Sequence, residues 1–377
     1  MKKLLAILSS VSLLTVSTSA VVSCIPTATE INFDFDKNIG TQFDTRFAKD
    51  TSDDKSNHKG FSNFFTLGDS LSDQGGLQTV GKDQFNIEIK MSGQYVGGFS
   101  NGLTTAALIN EELNFSKEEF KSSNLIHKPD IELNGEKVWG KNYSVGGATA
   151  YDSSGATALL LGNTGIYKQA QALVEQQKIH EDDLFLVEIG GNDMFAILDN
   201  LNNSNKREEI MQSALLNIKN ALYTLLNNGA KKMVFLSPPD MTLIPRYYKA
   251  NQTNKEIIKM IGDDFNYEIS KIIKKANKMF NDSILFFDLY TRFGEITQEF
   301  QNSGPNKNIT EELCDSTSPD LSGIDLTNFE LKATVKPENV GKEEDFFFLD
   351  YVHPTKNGHK FAKKIIFNEI ESKWNEE

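Results

Sequence analysis

The chain has 377 residues, with 39 Lys and Arg against 52 Asp and Glu, and a formal charge of −13. That acidic balance argues against nucleic acid as a partner and against electrostatic adhesion to anionic lipid. Its 2 cysteines, Cys24 and Cys314, are too few for a disulfide framework.

The N-terminus reads as an export signal. Lys2 and Lys3 form a positive region, residues 4–14 are largely apolar, and residues 15–23 turn small and polar. The segment ends in Val21-Val22-Ser23-Cys24, which resembles a bacterial lipoprotein cleavage box. The resemblance implies a product that begins at Cys24, carries a diacylglyceryl group on its sulfur and is held on the outer face of the cell membrane. Two acyl chains anchor stably where one is marginal. The competing reading, an uncleaved membrane span of about 20 residues, is disfavoured by the many Ser and Thr and the terminal Cys. Cleavage removes two positive charges and no negative ones from −13, leaving −15 on the side chains. Residues 24–60 are rich in Asp, Asn, Lys, Ser and Thr, keep no period, and are expected to form a flexible tether. Residues 61–377 fit one α/β domain.

Along that domain, short apolar runs alternate with helical patterns. The run 64–67 leads into Gly68-Asp69-Ser70. Residues 74–100, rich in Gly, Gln and Asn, do not fit the alternation. A weaker run at 138–145 overlaps Asn142-Tyr-Ser-Val-Gly-Gly-Ala148, and a strong one at 184–189 precedes Gly190-Gly191-Asn192-Asp193. Ile210, Ala214, Ile218, Leu222 and Leu226 mark a helix over 206–228 that stops at Gly229. A run at 233–236 is followed by the aromatic-rich 241–248, a candidate wall for an acyl pocket. The next helix, 254–280, carries Ile257, Ile261, Ile269, Ile272 and Ile273, and a run at 284–289 follows it. Residues 302–345 are polar, with Pro305, Pro319 and Pro337, and read as a long loop that is either a lid, a partner surface or a loosely packed insertion. The last helix begins at Thr355 or Asn357 and runs to Trp374. Apolar runs of this length are buried parallel strands, and their alternation with helices predicts a three-layer α/β/α sandwich with sites at the C-terminal strand ends.

Four segments carry chemistry. Ser70 ends a predicted strand after a glycine that allows a sharp turn, and Asp69 is suited to organising that turn. Asp350 lies three residues before His353, so its carboxylate can take the imidazole Nδ1–H and leave Nε2 free to accept a serine proton. The Asn192 amide and the backbone N–H groups of Ser70 and Gly147 can donate to a developing oxyanion. Together these are the parts of an ester hydrolase: nucleophile, base, orienter and oxyanion donors. Metal is not expected, because Asp350, His353 and His359 match no usual zinc spacing. His58, His127 and His180 lie in polar contexts and read as solvated. Cys314 reads as an unpaired buried or loop thiol with no catalytic frame.

The set Ser70, Gly147, Asn192 and His353, with Asp350, resembles the SGNH or GDSL hydrolase superfamily. The likeness extends to its branch of secreted lipases, phospholipases and haemolysin-like esterases, through Phe64-Phe-Thr-Leu-Gly-Asp-Ser-Leu-Ser-Asp-Gln-Gly75, Gly98-Phe-Ser-Asn-Gly102, Ser237-Pro-Pro-Asp-Met-Thr-Leu-Ile-Pro245 and His353-Pro-Thr-Lys-Asn-Gly-His359. The resemblance fades over 302–345. It implies a flavodoxin-like, five-stranded parallel sheet, and hydrolysis through an acyl-enzyme on Ser70. His353 is then the base, Asp350 its orienter, Ser70, Gly147 and Asn192 the oxyanion hole, and no cofactor is needed. The substrate implied is a lipid or other acyl ester. The alternatives are a carbohydrate O-acetylesterase and a non-catalytic surface binding lipoprotein on the same fold, the latter predicting a degenerate catalytic position.

Overall fold

The computed structural model describes residues 39–126, 129, 131–153, 162–317 and 328–374. The export signal, Cys24, residues 25–38 and His127 lie outside the described residues. The strands are β1 (Phe64–Gly68), β2 (Glu88–Gly93), β3 (Ile131–Leu133), β4 (Glu136–Val138), β5 (Leu184–Glu188), β6 (Lys232–Leu236), β7 (Ile284–Phe287), β8 (Asn308–Glu312), β9 (Cys314–Thr317), β10 (Asn328–Val335) and β11 (Phe346–Phe348). The helices are α1 (Gly76–Phe85), α2 (Thr105–Glu112), α3 (Ile166–Gln176), α4 (Gly191–Leu198), α5 (Ser204–Asn227), α6 (Pro245–Tyr248), α7 (Gln252–Met279), α8 (Leu289–Asn302) and α9 (Lys356–Trp374).

The central sheet is parallel in the order β1-β5-β6-β7. Every residue of β1 and β5 is buried, which is why Phe64-Phe65-Thr66-Leu67 and Leu184-Phe185-Leu186-Val187 read as unbroken runs and not as an alternation. Each step along the sheet moves in one direction, so right-handed crossovers put α3, α5 and α7 on one face. On the other side α9 packs against α2 and α8. This is the three-layer arrangement expected from the alternation.

The fifth strand differs from expectation. Beyond Val138 no ladder forms, but residues 141–145 run along the free edge of β1. Thr66 N–H donates to Lys141 O at 3.1 Å, Tyr143 N–H to Thr66 O at 2.7 Å, and Val145 N–H to Gly68 O at 3.1 Å. Side chains take the place of a regular ladder: Asn142 Oδ1 accepts from Thr66 Oγ1 at 2.8 Å and from Ser144 N–H at 2.9 Å. The edge is therefore closed by an irregular segment that is already turning towards the glycines of 146–147.

Two other expectations are corrected. Residues 39–60 are docked on the domain, not free. Lys49 N–H donates to Gln176 O at 2.9 Å, Lys178 N–H to Lys49 O at 2.8 Å, and Asn227 Nδ2 to Ile39 O at 2.8 Å. The described residues of 302–345 are not one long loop: β10 pairs in parallel with β2 and antiparallel with β9, and β8 pairs with β11. Polar stretches such as Asn308-Ile-Thr-Glu-Glu312 obscure these strands in the sequence, although Cys314 of β9 and Leu331 and Ala333 of β10 are buried in the core. The 74–100 region likewise holds α1 and β2. Among the described residues no helix is long and apolar enough to cross a membrane.

Leu186 sits at the centre of β5 and is 1 % exposed. Leu186→Ala is expected to lower stability by about 2–5 kcal/mol through lost burial and a residual cavity. In urea unfolding the midpoint should fall at unchanged slope; an unchanged midpoint contradicts the central placement of β5.

Candidate active site

Three sheet termini and one distant turn converge. Ser70 follows β1, Gly147 lies in the edge segment beside it, Asn192 opens α4 just after β5, and Asp350 and His353 occupy the turn between β11 and α9. His353 Nε2 lies 2.8 Å from Ser70 Oγ, and His353 Nδ1 lies 2.8 Å from Asp350 Oδ2 and 3.0 Å from Oδ1. With the Nδ1 proton directed at the carboxylate, Nε2 is the acceptor for the serine hydroxyl. Asp350 Oδ1 also accepts the N–H groups of Val352 at 2.9 Å and His353 at 2.8 Å, which closes the turn.

The electrostatics follow from burial and pairing. Burial alone would raise the Asp350 carboxyl, but the charge and ring N–H of His353 and the Tyr95 hydroxyl hold it below its usual range. Burial alone would lower His353, yet Asp350, and behind it Asp69, raise it. His359 does not join the set: its Nδ1 accepts from Thr105 N–H at 3.1 Å, and burial and the neighbouring His353 push it down to about 3.

Gly147 has φ +81, a left-handed conformation that glycine adopts without strain. Among the described residues neither its N–H nor that of Ser70 has an acceptor, so both donors are available to a ligand. The Asn192 amide is partly engaged: Nδ2 donates to Ala148 O at 2.9 Å, while its other contact, Asp69 Oδ2, is a long 3.4 Å. One of its two hydrogens can therefore turn to an incoming oxyanion without breaking a good hydrogen bond.

Residues outside the predicted set hold this geometry. Asp73 is fully buried and accepts four backbone N–H groups. Those of Gly75 at 2.7 Å, Gly76 at 2.5 Å and Leu77 at 3.0 Å come from its own turn, and that of Gly146 at 2.6 Å comes from the edge segment. It thereby ties the Ser70 turn to the Gly147 turn. Asp193 does the same for α4, accepting Ala150 N–H at 3.0 Å and Tyr151 N–H at 2.7 Å, and burial pushes it up to about 6. Asp69 organises the turn through Leu71 N–H at 3.1 Å and faces the buried Glu188. Burial raises both carboxyls, and the proximity of Asp69 raises Glu188 further. Asp73 stood in the sequence motif without an assigned role; Glu188 carried no sequence signal beyond a lone acid ending an apolar strand.

The 241–248 stretch lies beside the site. Arg246 N–H donates to Tyr351 O at 3.1 Å, and its guanidinium covers the Phe195 ring at 4.5 Å. Tyr247 packs against Phe195 at 6.2 Å, one turn along α4 from Asn192. Other expectations are adjusted. His58 is not solvated: it stacks on Phe115 at 4.1 Å and its Nδ1 lies 3.0 Å from Leu113 O. His180 is half-buried beside Asp50 at 3.0 Å. Cys314 is buried and free, and burial, then Asp350, pushes its thiol up to about 12.

A serine backed by an imidazole and a carboxylate, with unpaired N–H donors at the ends of parallel strands, is the layout of a serine ester hydrolase. The family described as GDSL-like Lipase/Acylhydrolase matches residues 64–366, and the chain belongs to it; it is a carboxylic ester hydrolase of that family. It is 25 % identical to "GDSL esterase/lipase 6" of Arabidopsis thaliana over 81 % of this chain and 85 % of that one. It is 27 % identical to "Lipase 1" of Photorhabdus luminescens over 54 % of this chain and 27 % of that one. A solved acetylxylan esterase, Axe2 of Geobacillus stearothermophilus, aligns with TM-score 0.39 at 14 % identity, covering 83 % of this chain and 96 % of that one.

Asp73→Asn puts an NH2 group where N–H donors now point, and hydrogen bonds to a charged acceptor contribute about 1.5–3 kcal/mol each. Urea unfolding should show a loss of that order, with ester turnover falling alongside. A variant as stable and active as the parent contradicts the clamp.

Proposed function

We propose that this protein hydrolyses lipid acyl esters through an acyl-enzyme on Ser70. The observation that carries the reading is the continuous line Ser70 Oγ–His353 Nε2 and His353 Nδ1–Asp350 Oδ2, with 2.8 Å at each step. Ser70 Oγ attacks the ester carbonyl carbon as its proton passes to His353 Nε2. The carbonyl oxygen, now an anion, is held by the N–H groups of Ser70 and Gly147 and by the Asn192 amide. Collapse breaks the bond to the alcohol, which leaves with the proton from His353. Water then attacks the acyl-enzyme by the same route and frees the acid. Asp350 keeps the imidazole oriented and stabilises its charged form. Removing one oxyanion donor typically costs about 10²–10³ in rate.

An acyl chain suits the wall formed by Phe195 and the 241–248 stretch, and the lipase names among the relatives favour lipid esters. Attachment through a lipidated Cys24 on the outer face of the cell membrane would set the enzyme beside such substrates. The acidic body is consistent with an anchor, not surface charge, making that attachment.

Ser70→Ala and His353→Ala should each abolish turnover, and a fluorophosphonate probe should label the parent at Ser70 only. The substrates to compare are phospholipids, lysophospholipids, triglycerides, aryl esters and acetylated sugars; cleavage confined to the sugars would overturn the lipid reading, and no labelling would overturn the enzymatic one. The base must be neutral to act, and His353 lies above its usual 6.5. The acid limb of kcat/KM should therefore fall above that pH, with activity lost below it. For the anchor, Cys24→Ala should move the protein from the membrane to the soluble fraction; retention there would refute lipidation as the attachment.

A further inference from the structure

We infer that Tyr95 is a positioning residue of the Ser70–His353–Asp350 set, held against Asp350 by the small sheet that β9 and β10 build onto β2. This inference rests on the catalytic reading above.

The Tyr95 hydroxyl donates to Asp350 Oδ2 at 2.7 Å, and the residue is 8 % exposed. The same oxygen receives the imidazole Nδ1–H, so Tyr95 is the next member of the line beyond Asp350. Its place is fixed from both sides of one sheet. Tyr95 follows β2, whose six-residue pairing with β10 runs from Glu88↔Asn328 to Gly93↔Ala333. Gln94 N–H continues it to Ala333 O at 2.8 Å. At Gly93, φ +66, a Cβ would lie 2.1 Å from Ala333 O, so the two backbones approach as closely as only glycine permits.

The far side of that sheet reaches the acceptor. β9 pairs with β10, Cys314 opposite Val335, and Cys314 N–H donates to Leu349 O at 2.8 Å while Leu313 N–H donates to Phe348 O at 3.0 Å. One three-stranded sheet thus spaces the Tyr95 donor from the Asp350 turn. Phe99 completes the packing, edge-on to Tyr95 at 5.8 Å and tilted against the His353 ring at 5.0 Å.

The hydroxyl has two consequences. It fixes the carboxylate plane, and with it the imidazole. It also draws off part of the Asp350 charge that His353 would otherwise feel. The titratable groups facing the pair are Asp69 and His359 around His353, and Cys314 around Asp350; none of them moves when Tyr95 loses only its oxygen.

Tyr95→Phe keeps the ring. Hydrogen bonds to charged groups are among the stronger ones, so kcat on an aryl ester should fall about tenfold, with KM within about twofold of the parent because Tyr95 touches no substrate. The acid limb of kcat/KM should rise by about half a pH unit, since the undiluted carboxylate favours imidazolium. The rate of fluorophosphonate labelling of Ser70, which needs His353 as base but no acyl pocket, should fall by the same factor and shift along the same limb. All assays are run below the melting transition of each protein. Parental kcat, labelling rate and acid limb in Tyr95→Phe would overturn the positioning role, and so would a lower melting temperature with no change in the limb. Activity surviving in Ser70→Ala would instead overturn the catalytic reading, so the two failures are distinguishable.

Discussion

One hydrogen bond, between Ser70 Oγ and His353 Nε2 at 2.8 Å, joins two ends of the chain separated by 283 residues. A hydrogen bond tolerates only a few tenths of an ångström before it weakens. Each end must therefore be mounted rigidly, and by different means. The Ser70 end is fixed by the strand it leaves and by Asp73, whose carboxylate gathers N–H groups from two turns at once. The His353 end lies in a turn closed on itself: Leu349 N–H donates to His353 O at 2.7 Å. Further bonds tie that turn to its flanks, with Thr355 Oγ1 to Phe346 O at 2.8 Å, Ser100 Oγ to Pro354 O at 3.1 Å and Lys356 N–H to Asn101 Oδ1 at 2.7 Å.

The carboxylates that do this mounting are buried: Asp69, Asp73, Glu188, Asp193 and Asp350 are each at most 4 % exposed. Backbone N–H groups, not cations, compensate most of them, which fits a site that must hold its negative charge without attracting a mobile lysine. Burial still raises Asp69, Asp73, Glu188 and Asp193. A carboxyl raised in the folded state contributes stability that is complete below its unfolded value and lost as pH rises through the folded one. For Asp193 that window runs from 3.8 to about 6. These groups thus trade stability near neutrality for a fixed geometry, whereas Asp350, which is lowered, contributes in the opposite sense.

Much of this was legible in the sequence, because reaction chemistry requires particular side chains. Ser70, Gly147, Asn192, Asp350 and His353 can be read as a set, and the structure brings all five together. The buried strands were legible too, since parallel strands covered on both faces are apolar throughout. Tyr95, Asp73 and Glu188 were not read as supports, because a residue that acts through a neighbour leaves no spacing rule. The strands of 308–335 were hidden for another reason. Their partners are remote in sequence: β10 pairs with β2, as in Asn328↔Glu88, and β8 with β11, as in Phe346↔Asn308. Phe329, Leu331, Ala333 and Val335 of β10 do alternate with polar residues, but such a period marks a strand without naming its partner. Residues 39–60 escaped in the same way, docking through scattered hydrogen bonds and the isolated apolar contacts of Ile39 and Phe43, which follow no period.

The pairing of β9 and β10 also bears on how a substrate reaches Ser70. Read as a loop, the segment is a natural lid. As observed, lifting it away would break the β2–β10 ladder and the bonds from Leu313 and Cys314 to Phe348 and Leu349. Those same bonds set the position of Asp350, one residue further on. Opening by that route would disassemble the line that opening is meant to serve. A lid must come from the low-stability part of a structure, and this sheet is joined to the part that has to stay still. Beside the same site, the rim formed by Arg246, Tyr247 and Phe195 is tied to the His353 loop by the Arg246 N–H to Tyr351 O bond.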